Sequence, residues 1–211
     1  MITVCIMSYG YAHLAAQAIE SALSQTKKPD RVLIVDDGMH DGIDEVADIY
    51  GVQDIIRPKN LGIVDNFNDI LMNHVFTDKV MFLGADNYLR PDALELMDTG
   101  ADIVSSDIAI FGEQSDEFAK VVNTNEKKDG YYIWRFKKGN IGNGNYIHGS
   151  SLYNVELAKR FGYKPSGNKH SEEDWMLWIQ MLKNGATHEH IEEPLLYYRR
   201  HRRNFQSQEN K

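Results

Sequence analysis

The strongest constraint on what this chain can fold into is an alternation, through its first half, of short β-branched runs with apolar stripes at helical spacing. The runs are Thr3-Val4-Cys5-Ile6-Met7, Arg31-Val32-Leu33-Ile34-Val35, Asp54-Ile55-Ile56-Arg57, Lys79-Val80-Met81-Phe82-Leu83 and Asp102-Ile103-Val104. Gly, Pro, Asp and Asn bound them, and near-continuous apolar sequence is what a strand covered on both faces requires. Leu14, Ala15, Ala18, Ile19, Ala22 and Leu23 form a helical stripe between the first two runs, and Val64, Phe67, Ile70, Leu71 and Val75 repeat it. This order predicts an α/β fold, a mainly parallel, doubly wound sheet flanked by helices and joined by right-handed crossovers. Ligands of such sheets bind beyond the carboxyl ends of the strands, which directs attention to the loops starting at Ser8, Asp36 and Gly84.

The second half is less regular. Residues 107–150 mix polar and Gly-rich sequence, with a loop expected over Lys137-Lys138-Gly139-Asn140-Ile141-Gly142-Asn143-Gly144-Asn145. A helix is expected from Val155 to Phe161, with Asn154 as N-cap and Gly162 as stop, and another from Glu172 to Asn184, preceded by Ser171 and followed by Gly185. Strand-like Leu195-Leu196-Tyr197-Tyr198 leads into Arg199-Arg200-His201-Arg202-Arg203. No internal repeat or low-complexity linker divides the 211 residues, so a single domain over 1–211 is expected.

With 31 Asp and Glu against 23 Lys and Arg, the chain carries a formal charge of −8, and an acidic surface repels a polyanion. Nucleic acid is therefore not an expected partner. The longest apolar run, Val80–Ala85, falls far short of the roughly 20 residues that span a bilayer. The start lacks a signal peptide's charged n-region, and the lone Cys5 cannot form an internal disulfide, which together place the protein in a cytosol.

Four segments carry residues suited to chemistry. Asp36-Asp37-Gly38 closes the second run, where Asp-Gly serves equally as a turn or as a carboxylate facing a ligand. In Gly84-Ala85-Asp86-Asn87-Tyr88-Leu89-Arg90-Pro91, Pro91 suits the first helical position and makes Arg90 the expected N-cap. Asp86 is then too early to cap and suits a hard divalent cation. Ser171-Glu172-Glu173-Asp174 has the spacing of a capping box, which by itself accounts for Asp174, although a carboxylate beside Trp175 and Trp178 can also act as a general base. The basic run 199–203 reads as a solvated tail or as a focused anion site for a diphosphate. His188-Glu189-His190 has no metal-ligand spacing and reads as structural or surface. Gly-x-Gly-x-x-Gly, Gly-Lys-Ser/Thr and Gly-x-Ser-x-Gly are all missing, which removes dehydrogenase, P-loop and α/β-hydrolase readings.

Taken in order, these segments resemble the family-2 inverting glycosyltransferases of the GT-A fold, a Rossmann-like nucleotide-diphospho-sugar transferase architecture. The likeness rests on Val4-Cys5-Ile6-Met7-Ser8-Tyr9, Val35-Asp36-Asp37-Gly38 with Asp41-Gly42, Asn60-Leu61-Gly62 leading to Asn66, Asp86-Asn87-Tyr88-Leu89-x-Pro91, Gly149-Ser150-Ser151, Glu173-Asp174-Trp175, and Tyr198-Arg199-x-His201-x-x-Asn204. It implies a nucleotide-binding half, residues 1–107, and an acceptor-binding, catalytic-base half, residues 108–211. By the same resemblance Tyr9 stacks on the nucleotide base, Asp37 accepts from its ring N–H, and Ser8 and Asn66 lie near. Asp86, with Ala85 beside it, matches the metal position of the family's Asp-x-Asp motif. His201, Arg199 and Arg202 match the segment that meets metal and diphosphate. Asp174 matches the general base, with Glu173 and Trp175 beside it, and Gly149 and Ser150 fall near donor sugar and acceptor.

The resemblance implies Mn²⁺ or Mg²⁺, a nucleotide-sugar donor with UDP-sugar as the first choice and other nucleotide sugars as alternatives, and a glycan or glycoprotein acceptor. The chain departs from the pattern at Gly84, in place of the motif's first carboxylate, and at Asn87, where a second Asp is common. The Gln-x-x-Arg-Trp motif and membrane helices of processive synthases are missing, so one non-processive transfer is expected. A short chain of this kind fits action on a nascent glycan at a membrane surface, or a place as one domain of a larger polypeptide. A non-catalytic nucleotide-sugar-binding module and a nucleotidyltransferase are the alternatives.

Overall fold

The computed structural model describes residues 1–165 and 173–202. Its first half is β1 (Ile2–Ser8), α1 (Ala12–Leu23), β2 (Arg31–Asp36), α2 (Ile43–Tyr50), β3 (Gln53–Ile56), α3 (Ile63–Asp69), which runs on as a π-helical turn (Ile70–His74), and β4 (Lys79–Gly84). There follow β5 (Tyr88–Leu89), α4 (Ala93–Met97), β6 (Ile103–Phe111), α5 (Ser115–Val121), β7 (Lys127–Lys128), β8 (Tyr131–Trp134), β9 (Leu152–Asn154), α6 (Val155–Phe161), α7 (Glu173–Lys183) and β10 (His188–Arg199).

The strands form one sheet in the order β3-β2-β1-β4-β9-β6-β10-β5, with β8 also on β6 and β7 on β8. β3, β2, β1 and β4 are parallel to one another, and so are β6 and β10. The three-residue β9 lies between these blocks, antiparallel to both. The expected α/β architecture is present, and both stretches of the chain contribute to the same sheet.

Alternation along the strands builds two apolar layers. Val4, Ile6, Met81 and Leu83 face a core completed by Ala15, Ala18, Ile19 and Ala22 of α1. Cys5, Val80, Phe82 and Tyr153 face the other way, onto Ile70, Leu71 and, from α7, Leu177, Trp178 and Met181. The small alanines on α1 are fully buried and let the helix lie close to the sheet. Burial also pushes the Cys5 thiol far above its ordinary range, which makes it a packing residue.

Two expectations are corrected. Arg90 does not cap the helix after it: α4 starts at Ala93 with Asp92 as N-cap, because Arg90 folds onto Asp92 and Glu193 and holds Arg90-Pro91-Asp92 as a turn. The strand expected to end at Val104 continues to Phe111 through Ser105, Ser106 and Asp107, all buried. These polar residues have polar partners. Ser105 Oγ lies 2.8 Å from His188 Nε2 and 2.9 Å from His190 Nδ1, while Asp107 meets His190 and Arg135. His188 and His190 thus belong to a largely buried structural network, and burial holds His188 down at about 4. Asn154 caps α6 as expected, accepting from Leu157 N at 3.1 Å. Ser171, the expected partner in a capping box with Asp174, lies outside the described residues, as do Arg203 and Asn204.

The turn after β2 depends on a bare backbone position. Gly38 has φ +81°, and a Cβ there would fall 2.3 Å from the Lys59 carbonyl carbon and 2.5 Å from Asn60 N. Gly38→Ala is expected to lower stability by about 1–3 kcal/mol through strain and displacement of that loop. Urea unfolding measures it, and an unchanged midpoint would show that residues 59–60 move aside freely.

Candidate active site

The register of the parallel block brings three loops to one edge. Ser8 pairs with Asp36 and Met7 with Gly84, so β1, β2 and β4 end together. Ser8 is buried, and its hydroxyl has no hydrogen-bond partner among the described residues. Tyr9, the next residue, is 49% exposed and presents its ring at the surface. The adjacent acids differ in role. Asp36 accepts from Met39 N and His40 N and so shapes its own turn, whereas Asp37 accepts from Leu61 N at 2.9 Å. Burial raises the Asp37 pKa, opposed by the Leu61 and Gly62 amides and by Arg57.

Arg57, just beyond β3, also belongs to this edge. It ion-pairs with Asp69 and donates to Asn66 Oδ1 at 3.1 Å, so Asn66 reaches this edge as a buried partner of a guanidinium. Its sequence signal is its position as the last residue of the third β-branched run.

A second group gathers where β4 ends and β10 leaves the sheet. His201 Nε2 lies 3.3 Å from Asp86 Oδ2, and the His201 ring stands edge-on to Tyr11 at 5.4 Å. Burial raises the Asp86 carboxyl, while His201 and Arg199 pull it down. Arg199 donates from Nε to the Asp86 carbonyl at 2.9 Å, reaches Gln17, and lies over the Phe111 ring at 4.5 Å. A cleft of about 460 Å³ opens beside these groups, lined by His13, Leu14, Gly112, Glu113, Arg199, His201 and Arg202.

The basic run does not act as one patch. Arg200 points to the opposite side of the strand, buried over Phe118 at 4.1 Å and donating to the Tyr198 hydroxyl at 3.1 Å. The run is divided where the strand ends, with Arg199, His201 and Arg202 at the cleft and Arg200 turned away from it.

A third group forms at the start of α7. Asp174 Oδ1 accepts from Trp175 N at 2.6 Å, and a Cβ on Gly149 would lie 3.2 Å from Asp174 Oδ2, so the chain passes close against this carboxylate. Asn145 Nδ2 is 3.5 Å from Oδ1. Trp175 donates through Nε1 to the Ile141 carbonyl at 2.6 Å and fastens the 137–145 loop to the helix. Ser150 is partly exposed beside Gly149. Burial, then the neighbouring Glu173 charge, pushes Asp174 up to about 7. Burial raises the Tyr198 phenol, opposed by Arg200, with Asp86 and Asp174 adding small upward contributions.

The model of the family described as "Glycosyl transferase family 2" matches residues 3–162, a span running from β1 to the end of α6. The chain belongs to glycosyl transferase family 2. Similar solved structures share the fold at low identity. Staphylococcus aureus TarS 1–349 has 16% identity and a TM-score of 0.69, over 94% of this chain and 60% of that one. A Pyrobaculum calidifontis mannosyltransferase, in complex with GDP-Man and Mn²⁺, has 17% identity and a TM-score of 0.66, over 98% and 59%. Mycobacterium tuberculosis glucosyl-3-phosphoglycerate synthase, in complex with Mn²⁺, UDP and glucosyl-3-phosphoglycerate, has 13% identity and a TM-score of 0.67, over 95% and 72%. No functionally curated protein matches the sequence. The chain thus spans about 60% of the first of these relatives.

In this family 2 chain the residues present fit a divalent ion that takes much of its coordination from a ligand. Asp86 and His201 converge, and no set of three or more Asp, Glu, His or Cys side chains does so among the described residues. One hard carboxylate with phosphate oxygens supplied from outside is a common arrangement for Mg²⁺ or Mn²⁺.

Because Asp174 has its pKa raised from 3.8 to about 7, its stabilising contribution is fully present below pH 3.8 and is lost as the pH rises through 7. Asp174→Asn, which keeps the acceptor for Trp175 N, is expected to be more stable than the parent above pH 7, with the gap closing towards pH 4. Denaturant unfolding at several pH values checks it, and a pH-independent difference would contradict the raised pKa.

Proposed function

We propose that this chain is an inverting, non-processive glycosyltransferase that moves one sugar from a nucleotide-diphosphate donor, a UDP-sugar, to a hydroxyl of a glycan or glycoprotein acceptor. Its cofactor in this reading is Mn²⁺ or Mg²⁺. The observation that carries it is Asp174, a carboxylate raised to about 7 at a helix start, close against Gly149 and separate from the Asp86 and His201 pair. Such a group is tuned to take a proton near neutral pH.

In this reading the donor's base lies on the exposed Tyr9 ring with Asp37 accepting from its N–H, while Ser8 supplies a hydroxyl at the strand end. Asp86 and His201 would hold the divalent ion, and the chemistry it would supply there is positive charge for the diphosphate. Arg202 at the cleft adds a cation as negative charge develops on the leaving group. Arg199 keeps the Asp86 backbone in place. Gly149 and Ser150, with Glu173 and Trp175, border the acceptor, and the loop fastened by Trp175 covers that side. Asp174 takes the acceptor hydroxyl proton as its oxygen attacks the anomeric carbon opposite the leaving diphosphate; the new bond forms as the old one breaks, and the carbon inverts. Reported relatives with GDP-Man, UDP and Mn²⁺ support this assignment of ligand class. No helix among the described residues is long and apolar enough to cross a membrane, and we place the reaction in a cytosol.

The transfer rate is expected to rise with pH and level off above about 7, as Asp174 ionises. Asp174→Asn should retain donor binding and lose about 10²–10⁴-fold in rate. Stopped transfer assays over pH 5–9 test both, and near-normal turnover would leave Asp174 a helix cap. Excess chelator should abolish transfer and Mn²⁺ or Mg²⁺ restore it; full activity in chelator would remove the metal from this account.

A further inference from the structure

We propose that Asn87 is a positioning residue that holds the end of β10 against the β4 turn and thereby sets Asp86 and His201 at their working separation. This rests on the donor and metal reading above. Asp86 and His201 are 115 positions apart in sequence, yet lie 3.3 Å from each other. The strand ladders stop before they meet, and beyond them the backbone bonds from Arg200 N to the Phe111 carbonyl at 2.7 Å and from Gln114 N to the Arg200 carbonyl at 3.1 Å hold the chain on its β6 side alone. β5 pairs with β10 only at Leu89 with Leu196 and Tyr88 with Tyr197, and the β6 ladder ends at Arg199 with Phe111.

The Asn87 side chain carries the pairing further. Its Oδ1 accepts from Arg199 N at 2.9 Å, taking the place of the strand carbonyl that β5 no longer provides. Asn87 is only 6% exposed, so the bond is sheltered from water. Arg199 returns a bond from Nε to the Asp86 carbonyl at 2.9 Å. The two bonds tie consecutive residues of one loop to one residue of β10, two positions before His201.

Gly84 completes the arrangement. A Cβ on it would lie 2.8 Å from Asn87 Nδ2 and 2.8 Å from Asp86 Oδ1. Both atoms end flexible side chains, but one side chain is fastened to Arg199 N and the other is near His201, so moving aside would loosen the site itself. The two departures from the Asp-x-Asp pattern are therefore one coupled change: the bare position 84 leaves room for the amide at 87. Restoring a side chain at 84 works against the metal site of this chain.

Mn²⁺ binding by isothermal titration, with and without UDP, tests this, with thermal unfolding recorded for each variant. Residues supporting metal ligands typically contribute about 10- to 100-fold in affinity, and Asn87→Ala should weaken Mn²⁺ in the presence of UDP by that factor. UDP affinity without metal should stay unchanged, and Asn87→Asp, which keeps an acceptor for Arg199 N, should recover most of the loss. Gly84→Ala should weaken Mn²⁺ in the same way and carries the test if Asn87→Ala does not fold. Parent-like Mn²⁺ affinity in Asn87→Ala, or in Gly84→Ala where that variant stands in, overturns the proposal. So does an equal loss of metal-free UDP binding. A parent protein that binds neither Mn²⁺ nor UDP would instead bring down the donor reading, and this role with it.

Discussion

The long parallel pairing of β10 with β6 is the interaction on which the rest of the site depends. It runs from His188 opposite Ile103 to Arg199 opposite Phe111, and it delivers the last turn of the described chain to the loop that begins at Gly84. Its first part carries polar groups that apolar strands would not need. Ser105 and Asp107 take up His188, His190 and Arg135, so the first part of the ladder is held by polar contacts and the later part by apolar packing of Ile108, Ile110, Leu195 and Leu196. The register shifts on both sides of Pro194, and the network of Ser105, Asp107, His188 and His190 ties the strand to β6 ahead of that irregularity.

Much of the first half was legible because its signals are local. The apolar runs at Thr3, Arg31 and Lys79 became β1, β2 and β4 within a residue or two, since a strand covered on both faces needs a continuous apolar run. Asn154 and Gly162 bounded α6 correctly, because a cap is a contact within one turn. The polar interior of β6 was not legible. Ser105, Ser106 and Asp107 look like a strand's end until the histidines some 80 positions later are seen to pair with them.

The site divides along the same line. That Ser8, Asp37 and Asp86 share an edge follows from strand order alone, whereas the division of the basic run does not show in a charge count. Arg200 is as cationic as Arg199 in the sequence, yet one packs over Phe118 in the core and the other borders the cleft. Arg57 shows in the sequence only as a strand end and Asn87 only as a departure from a motif; an arginine and an amide so placed gain meaning from partners such as Asp69 and Arg199.

The short β9 has a mechanical consequence. Among the described residues the block of β3, β2, β1 and β4 does not pair directly with β6 and β10; three residues, Leu152–Asn154, form the bridge between them, matched to β4 at three positions and to β6 at two. A sheet resists shear in proportion to the ladder bonds that cross each line, and this line is crossed by few. With few ladder bonds across this line, the two blocks are joined there chiefly by Leu152 and Tyr153, whose side chains sink into the two apolar layers on opposite faces of the sheet.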